Sequence, residues 1–227
     1  MKRRLQLIGI AALTVIICLV AVLPIPSRIV PTVATNDAFV LIDAGHGGAD
    51  GGAVAHDGTL EKDINLSIAI PLRDMLRVLG VSVRMTRETD VSIHDPAATA
   101  IRDQKVSDMH NRLTLYNQAE IAVGIHQNQF SIEKYHGTQV FYGTTHSESR
   151  VLAETLRGSV VTALQPENTR ELKTGNDVFL LKNAKCPAAF VECGFLSNRE
   201  ELARLKQTDY QRKMALSIAI GVVQYLQ

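Results

Sequence analysis

Four side chains in this sequence have the types and surroundings to run a hydrolysis: His46, Glu61, His126 and Glu192. His46 lies in VLIDAGHGGADGGAV, directly after an apolar run and among glycines, while His126 closes IAVGIH and Glu192 closes AAFVE. Two imidazoles and a carboxylate suit a Zn2+ ion with a fourth position open to water, and a further carboxylate nearby suits a general base. Each residue also has a plainer use. A histidine at a strand end can be a hydrogen-bonded structural residue, and an acidic residue in a first helical turn, such as Glu61, can offset the helix dipole. A glycine-rich turn after a strand can cradle phosphate, but GHGGADGG lacks both the Lys-Ser/Thr ending of a P-loop and the dinucleotide G-x-G-x-x-G spacing. Glu192 is hardest to explain without chemistry, because a carboxylate after AAFV is at least partly desolvated and costly to bury unpaired. His56, His94, His110, His136 and His146 lie in loops or beside charged residues and read as solvated or locally bonded.

The elements expected from the pattern bring the four together. From Ala38 onward, apolar strands alternate with amphipathic helices; strands are expected at AFVLIDAG, VSVRMT, IAVGIHQN, TQVFYG, DVFLLKN and AAFVECGF. EKDINLSIAIPLRDMLRVLG puts Ile64, Ile68, Leu72, Leu76 and Leu79 on one helical stripe, with Gly80 as its stop and Pro71 as an interruption. Further helices are expected around Asp108–Gln118, Glu148–Leu164 and Asn198–Leu226, the last opened by a Ser197/Glu200 capping box. Such alternation implies an α/β domain with a parallel or mixed sheet covered by helices on both faces. In open sheets of this kind ligands bind outside the carboxyl ends of the strands. His46, His126 and Glu192 all finish strands, and Glu61 begins the helix that must start near the end of the first, so all four belong to one edge.

Composition limits the remaining readings. With 227 residues, 46% hydrophobic and 21% charged, the chain suits one compact domain plus an appendage. A net charge of +1 with no dominant basic face argues against a nucleic-acid partner. The three cysteines, Cys18, Cys186 and Cys193, suggest no disulfide framework and read as small buried hydrophobes. The appendage is N-terminal: Lys2, Arg3 and Arg4 precede an uncharged stretch from Leu5 to Leu23, long enough to cross a bilayer with its cationic flank in the cytoplasm. A signal anchor is therefore expected over residues 1–25, a Pro/Thr/Ala linker over 26–37 and the working domain over 38–227, outside the cytoplasm. A cleaved signal peptide is the rival reading of the first segment, although LPIPS offers no clean cleavage site.

The ordered series DAGHGGADGGA, EKDINLSIA, TRETD, IHQN and VECGFLSN resembles the zinc-dependent N-acetylmuramoyl-L-alanine amidases of bacterial cell walls, the amidase type-3 family. The resemblance runs from about Phe39 to Tyr225. It implies a six-stranded mixed, mostly parallel sheet, one zinc ion held by His46, Glu61 and His126, and Glu192 as catalytic acid/base. Its implied substrate is peptidoglycan, cut between the muramic lactyl group and L-alanine. Asp43 and Asn128 are candidates for orienting the ligands, and equally for capping or shaping turns. Two departures mark the chain: GIHQN replaces the usual SIHAN, so Gly124 and Gln127 can alter the cleft, and the region from Val91 to Asp108 is longer than the family minimum. With NTRELKTGNDVFLLKN and a membrane anchor, that loop resembles the subfamily acting on spore cortex, where removal of stem peptides precedes formation of muramic lactam. The alternatives are a vegetative cell-separation amidase, a zinc peptidase cutting within the stem, and a non-catalytic wall-binding protein. An accessory envelope protein is a further expectation, and the loop from Pro96 to Ser107 is short for a helix that plugs the cleft.

Overall fold

The computed structural model describes residues 38–227; the expected anchor, the linker and Cys18 lie outside the described residues. Six strands form one sheet: β1 (Val40–Ala44), β2 (Val83–Met85), β3 (Ile121–Asn128), β4 (Gln139–Tyr142), β5 (Lys173–Thr174) and β6 (Ala188–Phe195). Their order across the sheet is β2-β1-β3-β6-β4-β5. β1, β2, β3 and β6 run parallel, whereas β4 is antiparallel to β6 and carries β5 alongside it. Among the described residues six helices complete the fold: α1 (Glu61–Val78), α2 (Ile101–Tyr116), α3 (Ser149–Ala163), α4 (Phe179–Asn183), α5 (Arg199–Leu205) and α6 (Thr208–Tyr225).

The side-chain period of two sorts each central strand between two cores. Val40 and Ile42 of β1, Val123 and Ile125 of β3, and Ala189 and Val191 of β6 pack with Ile68, Leu72 and Leu76 of α1, Leu156 of α3 and Ile218 of α6. The opposite face takes Phe39, Leu41, Ala122 and Ala188 against Tyr116 of α2 and Leu180 and Leu181 of α4. β1 is buried on both faces, which is why VLIDA reads as a continuous run. Fully burying a side chain such as Leu72 contributes about 1.5–3 kcal/mol.

Four elements differ from the sequence reading. DVFLLKN is not a strand: Leu180 and Leu181 are both buried in the same cluster, as successive residues of the short helix α4 can be, whereas a strand would send them to opposite faces. The fifth strand is Lys173–Thr174, an exposed pair with no apolar alternation. α2 begins at Ile101 rather than near Asp108, because its first turns are held by polar ties: Lys105 to Asp50, and the Asp95 N–H to the Ser107 hydroxyl at 2.8 Å. The expected C-terminal helix is two helices, α5 and α6, parted at Lys206–Gln207. The α5 cap is Asn198, whose Oδ1 accepts from the N–H groups of Glu200 and Glu201, both at 3.0 Å. Ser197 instead accepts from the Phe130 N–H. α1 runs through Pro71; the carbonyl freed at Ser67 belongs to an exposed residue, where water can satisfy it.

Candidate metal centre and cleft

Strand register puts the chemistry on one face. His126 of β3 is paired in parallel register with Glu192 of β6, and two residues earlier, on the same face, Gly124 is paired with Phe190. The Phe190 ring stacks on the His126 imidazole, with centroids 4.5 Å apart and planes 12° from parallel. That contact explains the Gly124 departure: a Cβ there would meet Phe190 Cδ1 at 2.5 Å, so glycine makes the space in which the ring lies. Gln127 points to the other face, is buried, and donates from Nε2 to Asn65 Oδ1 at 3.2 Å. Its change from a small residue therefore alters packing behind the site rather than the cleft opening.

His46 is carried by a strained turn. Its φ of 62° is the left-handed conformation that non-glycine residues rarely adopt, and Gly47 and Gly48 follow with φ of 137° and 57°. The turn closes on itself through paired backbone hydrogen bonds between Gly47 and Asp50. Arg112 donates to the His46 carbonyl at 2.7 Å, and Arg87 to the carbonyls of Ala44 and Gly45 at 2.9 and 3.0 Å. On the other side Lys62 Nζ donates to the Gly48 carbonyl and to Asp90, both at 2.7 Å, while Asp90 accepts from the Gly48 N–H. Gly52, with φ of 68°, leaves room for the same group; a Cβ there would meet Glu61 Oε2 at 2.6 Å and His46 Cδ2 at 2.7 Å.

These supports bring His46, Glu61 and His126 together, with one donor atom from each within 4.8 Å of the others. The Glu61 carboxylate sits between the imidazoles, 3.2 Å from His46 Nε2 and 3.0 Å from His126 Nδ1. It also accepts from Ala53 N–H, Gln127 N–H and Asn65 Nδ2. Asp50 accepts from His46 Nδ1 at 2.8 Å, which fixes the ring and leaves Nε2 facing the centre. Burial raises the Glu61 carboxyl, but its hydrogen bonds and charge contacts with the two histidines outweigh this and hold it well below the usual range. Burial pulls His46 down, yet Asp50 and Glu61 push it up to about 9. Two imidazoles, one ionised carboxylate and a shared focus suit a divalent cation of borderline softness.

Glu192 lies beside the three donors, paired in register with His126. Its Oε2 is enclosed and has no hydrogen-bond partner among the described residues. Burial pushes its carboxyl up to about 7, with His126 opposing and Glu61 adding to the rise. A carboxyl poised near neutrality beside a cation-type site is chemically suited to carrying a proton both ways.

Asp43 does not touch the three donors. It lies beneath them, fully buried, accepting from Arg112, from Thr86 Oγ1 at 2.8 Å and from the Tyr116 hydroxyl at 2.9 Å. Burial raises its carboxyl, but Arg112 overrides this and holds it below the usual carboxylate range. Through Arg112 it acts on the His46 carbonyl. Asn128 lies past an irregularity in the β3–β6 register, and its carbonyl accepts from Leu196 N–H at 2.8 Å, so its bond runs to the β6 end rather than to the donors. Arg87, Arg112, Asn65, Lys62 and Asp50 escape the sequence reading as site residues. Arg87 and Asp90 are inside TRETD and Asn65 is inside EKDIN, so the available signal was a polar residue within an apolar or ordered motif.

A mixed α/β sheet that gathers two histidines and a carboxylate beside a second carboxylate, over a buried ion network, has the parts of a metal-assisted hydrolase. Residues 40–224 match the N-acetylmuramoyl-L-alanine amidase family, type 3, and the chain belongs to that family. The germination-specific N-acetylmuramoyl-L-alanine amidase of Bacillus subtilis (strain 168) is 36% identical over 189 residues, 82% of this chain and 79% of that protein. The protein YqiI of the same strain is 30% identical over 227 residues, 98% of this chain and 96% of its own. The CwlD amidase from Clostridioides difficile, solved in complex with the GerS lipoprotein, matches with a TM-score of 0.80 and 36% identity over 84% of this chain and 98% of that one.

Proposed function

We propose that this amidase hydrolyses the bond between the lactyl carbonyl of N-acetylmuramic acid and the L-alanine that begins the peptidoglycan stem. His46, Glu61 and His126 hold one Zn2+, and Glu192 is the general acid/base. The observation that carries this reading is the convergence of those three donors beside the Glu192 carboxylate, whose enclosed Oε2 has no partner among the described residues. When bound, the ion supplies Lewis acidity, lowering the pKa of a water and polarising a carbonyl. Glu192 accepts the proton of the attacking water and delivers it to the alanine nitrogen as the C–N bond breaks. Asp50 holds the His46 ring, and Arg112 and Arg87 hold its backbone, so the donors are arranged before substrate arrives.

The 36% identity to a germination-specific amidase supports a role in spore cortex maturation. The cationic, apolar N-terminus supports an anchor over residues 1–25 and a linker over 26–37, with the catalytic domain 38–227 on the extracytoplasmic face of the membrane. Among the described residues no helix is long and apolar enough to cross a membrane. An accessory envelope protein is proposed by similarity to the CwlD amidase, whose structure includes a lipoprotein. Metal analysis of the purified full-length chain tests the site: one zinc per chain is expected, retained in Glu192→Gln and lost in His126→Ala. Zinc retained in His126→Ala at wild-type affinity would overturn the ligand assignment.

A further inference from the structure

The loop between β3 and β4 carries an aromatic surface that the reaction does not use. Phe130 and Ile132 are each 48% exposed and Tyr135 is 36% exposed. The rings of Phe130 and Tyr135 meet edge to face at 5.4 Å, and Phe130 lies against Phe195 at 5.6 Å. The Arg170 guanidinium covers Phe195 at 4.5 Å and reaches Tyr135 at 5.7 Å. Binding residues concentrate on loops held by a rigid scaffold, and clustered exposed rings are a form such a surface takes.

This platform is built, not left over. Gln129 Nε2 donates to the Val54 carbonyl at 2.9 Å, which ties the loop to the segment between His46 and Glu61. Phe130 N–H donates to Ser197 Oγ at 3.2 Å, which ties it to the turn after the Glu192 strand. At the far end the buried Glu201 accepts from Gly137 N–H at 3.0 Å and from Phe195 N–H at 2.8 Å. Arg170 Nε donates to the His136 carbonyl at 2.6 Å. The rings are thus fixed next to the cleft before any ligand arrives.

Sheet order decides what they face. From β2 to β4, the carboxyl edge carries first the loops after β2 and β1, then His126 and Glu192, then the β3–β4 loop. The first flank holds a cavity of about 450 Å³ in which Asp50, Asp90, His94 and Lys105 stand beside apolar Val91 and Ile101, a mixed lining with the charged groups that a peptide's backbone and termini can pair with and no phenylalanine, tyrosine or tryptophan ring to stack on a sugar. The second flank is the aromatic platform. An amide between a sugar-borne carbonyl and a peptide has one saccharide side and one peptide side. Pyranose faces present C–H groups, which pack against the electron-rich faces of aromatic rings.

Resting on the amidase reading above, we propose that Phe130, Ile132 and Tyr135 form a subsite for the glycan strand, holding the saccharide that carries the scissile lactyl group. The test measures binding in a Glu192→Gln background, so that hydrolysis plays no part. The probe is a stem-free oligosaccharide of alternating N-acetylglucosamine and N-acetylmuramic acid, with a free stem peptide in parallel. Phe130→Ala is expected to weaken glycan binding about fivefold to tenfold, whereas Phe130→Tyr, which keeps a ring, restores it. Melting curves of both variants confirm that the exposed substitution leaves the fold intact. Equal glycan affinity in Phe130→Ala and its parent overturns the proposal, as does loss of stem-peptide binding in place of glycan binding. No measurable glycan binding by the parent also overturns it. Failure of the amidase reading is seen separately, as absence of stem release by the wild-type chain.

Discussion

Replacing Arg112 with methionine tests how the fold holds the His46 turn. Arg112 is 2% exposed and binds two carboxylates, Asp43 and Asp108, while donating to the carbonyls of Ala44 and His46 at 3.0 and 2.7 Å. Methionine preserves bulk but leaves Asp43 with only the hydroxyls of Thr86 and Tyr116. Breaking a buried pair by removing one partner costs about 3–5 kcal/mol. For a domain of this size, at about 2–4 °C per kcal/mol, that lowers the melting temperature by roughly 6–20 °C at pH 7. The pH dependence has a definite sign. Wild-type Asp43 has a folded pKa below its ordinary 3.8, so the stability it contributes is present above that value and lost as pH falls further. In the variant the ionised carboxylate is penalised instead, and the penalty fades in acid as Asp43 takes up a proton. The gap between the two melting temperatures should therefore be wide at pH 7 and narrow towards pH 3. Calorimetry across that range reads it directly. A loss below about 3 °C at pH 7, or a gap that does not narrow in acid, would refute the placement of Asp43 and Arg112 as the support of the turn.

Three other outcomes follow from the site. Glu192 has a folded pKa raised from 4.5 to about 7, so its ionisation opposes folding as pH rises through that window. In metal-free protein Glu192→Gln should melt higher than wild type at pH 8 and equally at pH 4, and an equal melt at pH 8 would contradict the burial argument. His46 sits at about 9, so metal must displace its proton below that pH; apparent zinc affinity should rise about tenfold per pH unit from 6 to 8 in chelator competition, where a flat profile is the contrary result. Gly124→Ser should displace the Phe190 ring and with it His126, lowering zinc affinity, and Phe190→Ala in that background should restore part of it; additive losses would show that the stack does not orient the imidazole.

The sequence was most legible where one residue type repeats on a regular period or ends an apolar run. The stripe of Ile64, Ile68, Leu72 and Leu76 reads as α1, and the runs IAVGIH and AAFVE place His126 and Glu192 near one edge, where the register pairs them, although β3 continues to Asn128 and β6 to Phe195 beyond those two residues. Legibility fails where order comes from distant partners. α4 packs Leu180 and Leu181 against Phe39 and Tyr116, so FLLKN looks like a buried strand until its neighbours are known. β5 has no apolar signal because only its backbone pairs, with Phe141 and Tyr142. The first turns of α2 depend on Lys105 meeting Asp50, 55 residues away in the chain. Asp43 and Arg112 meet across 69 residues, and nothing local distinguishes Arg112 from a surface arginine. Gly124 carried a usable hint, since glycine inside a strand marks a close approach, but the ring that approaches is on another strand.

The central claim is tested most directly by mass analysis of fragments released from spore-cortex peptidoglycan by the full-length chain, with zinc, with a chelator, and with Glu192→Gln in place of wild type. The account predicts free stem peptides beginning at L-alanine from the wild-type chain with zinc alone, and none from the other two samples. Stem peptides that lack L-alanine, leaving it on the muramic lactyl group, or release that survives the chelator or Glu192→Gln, would contradict it.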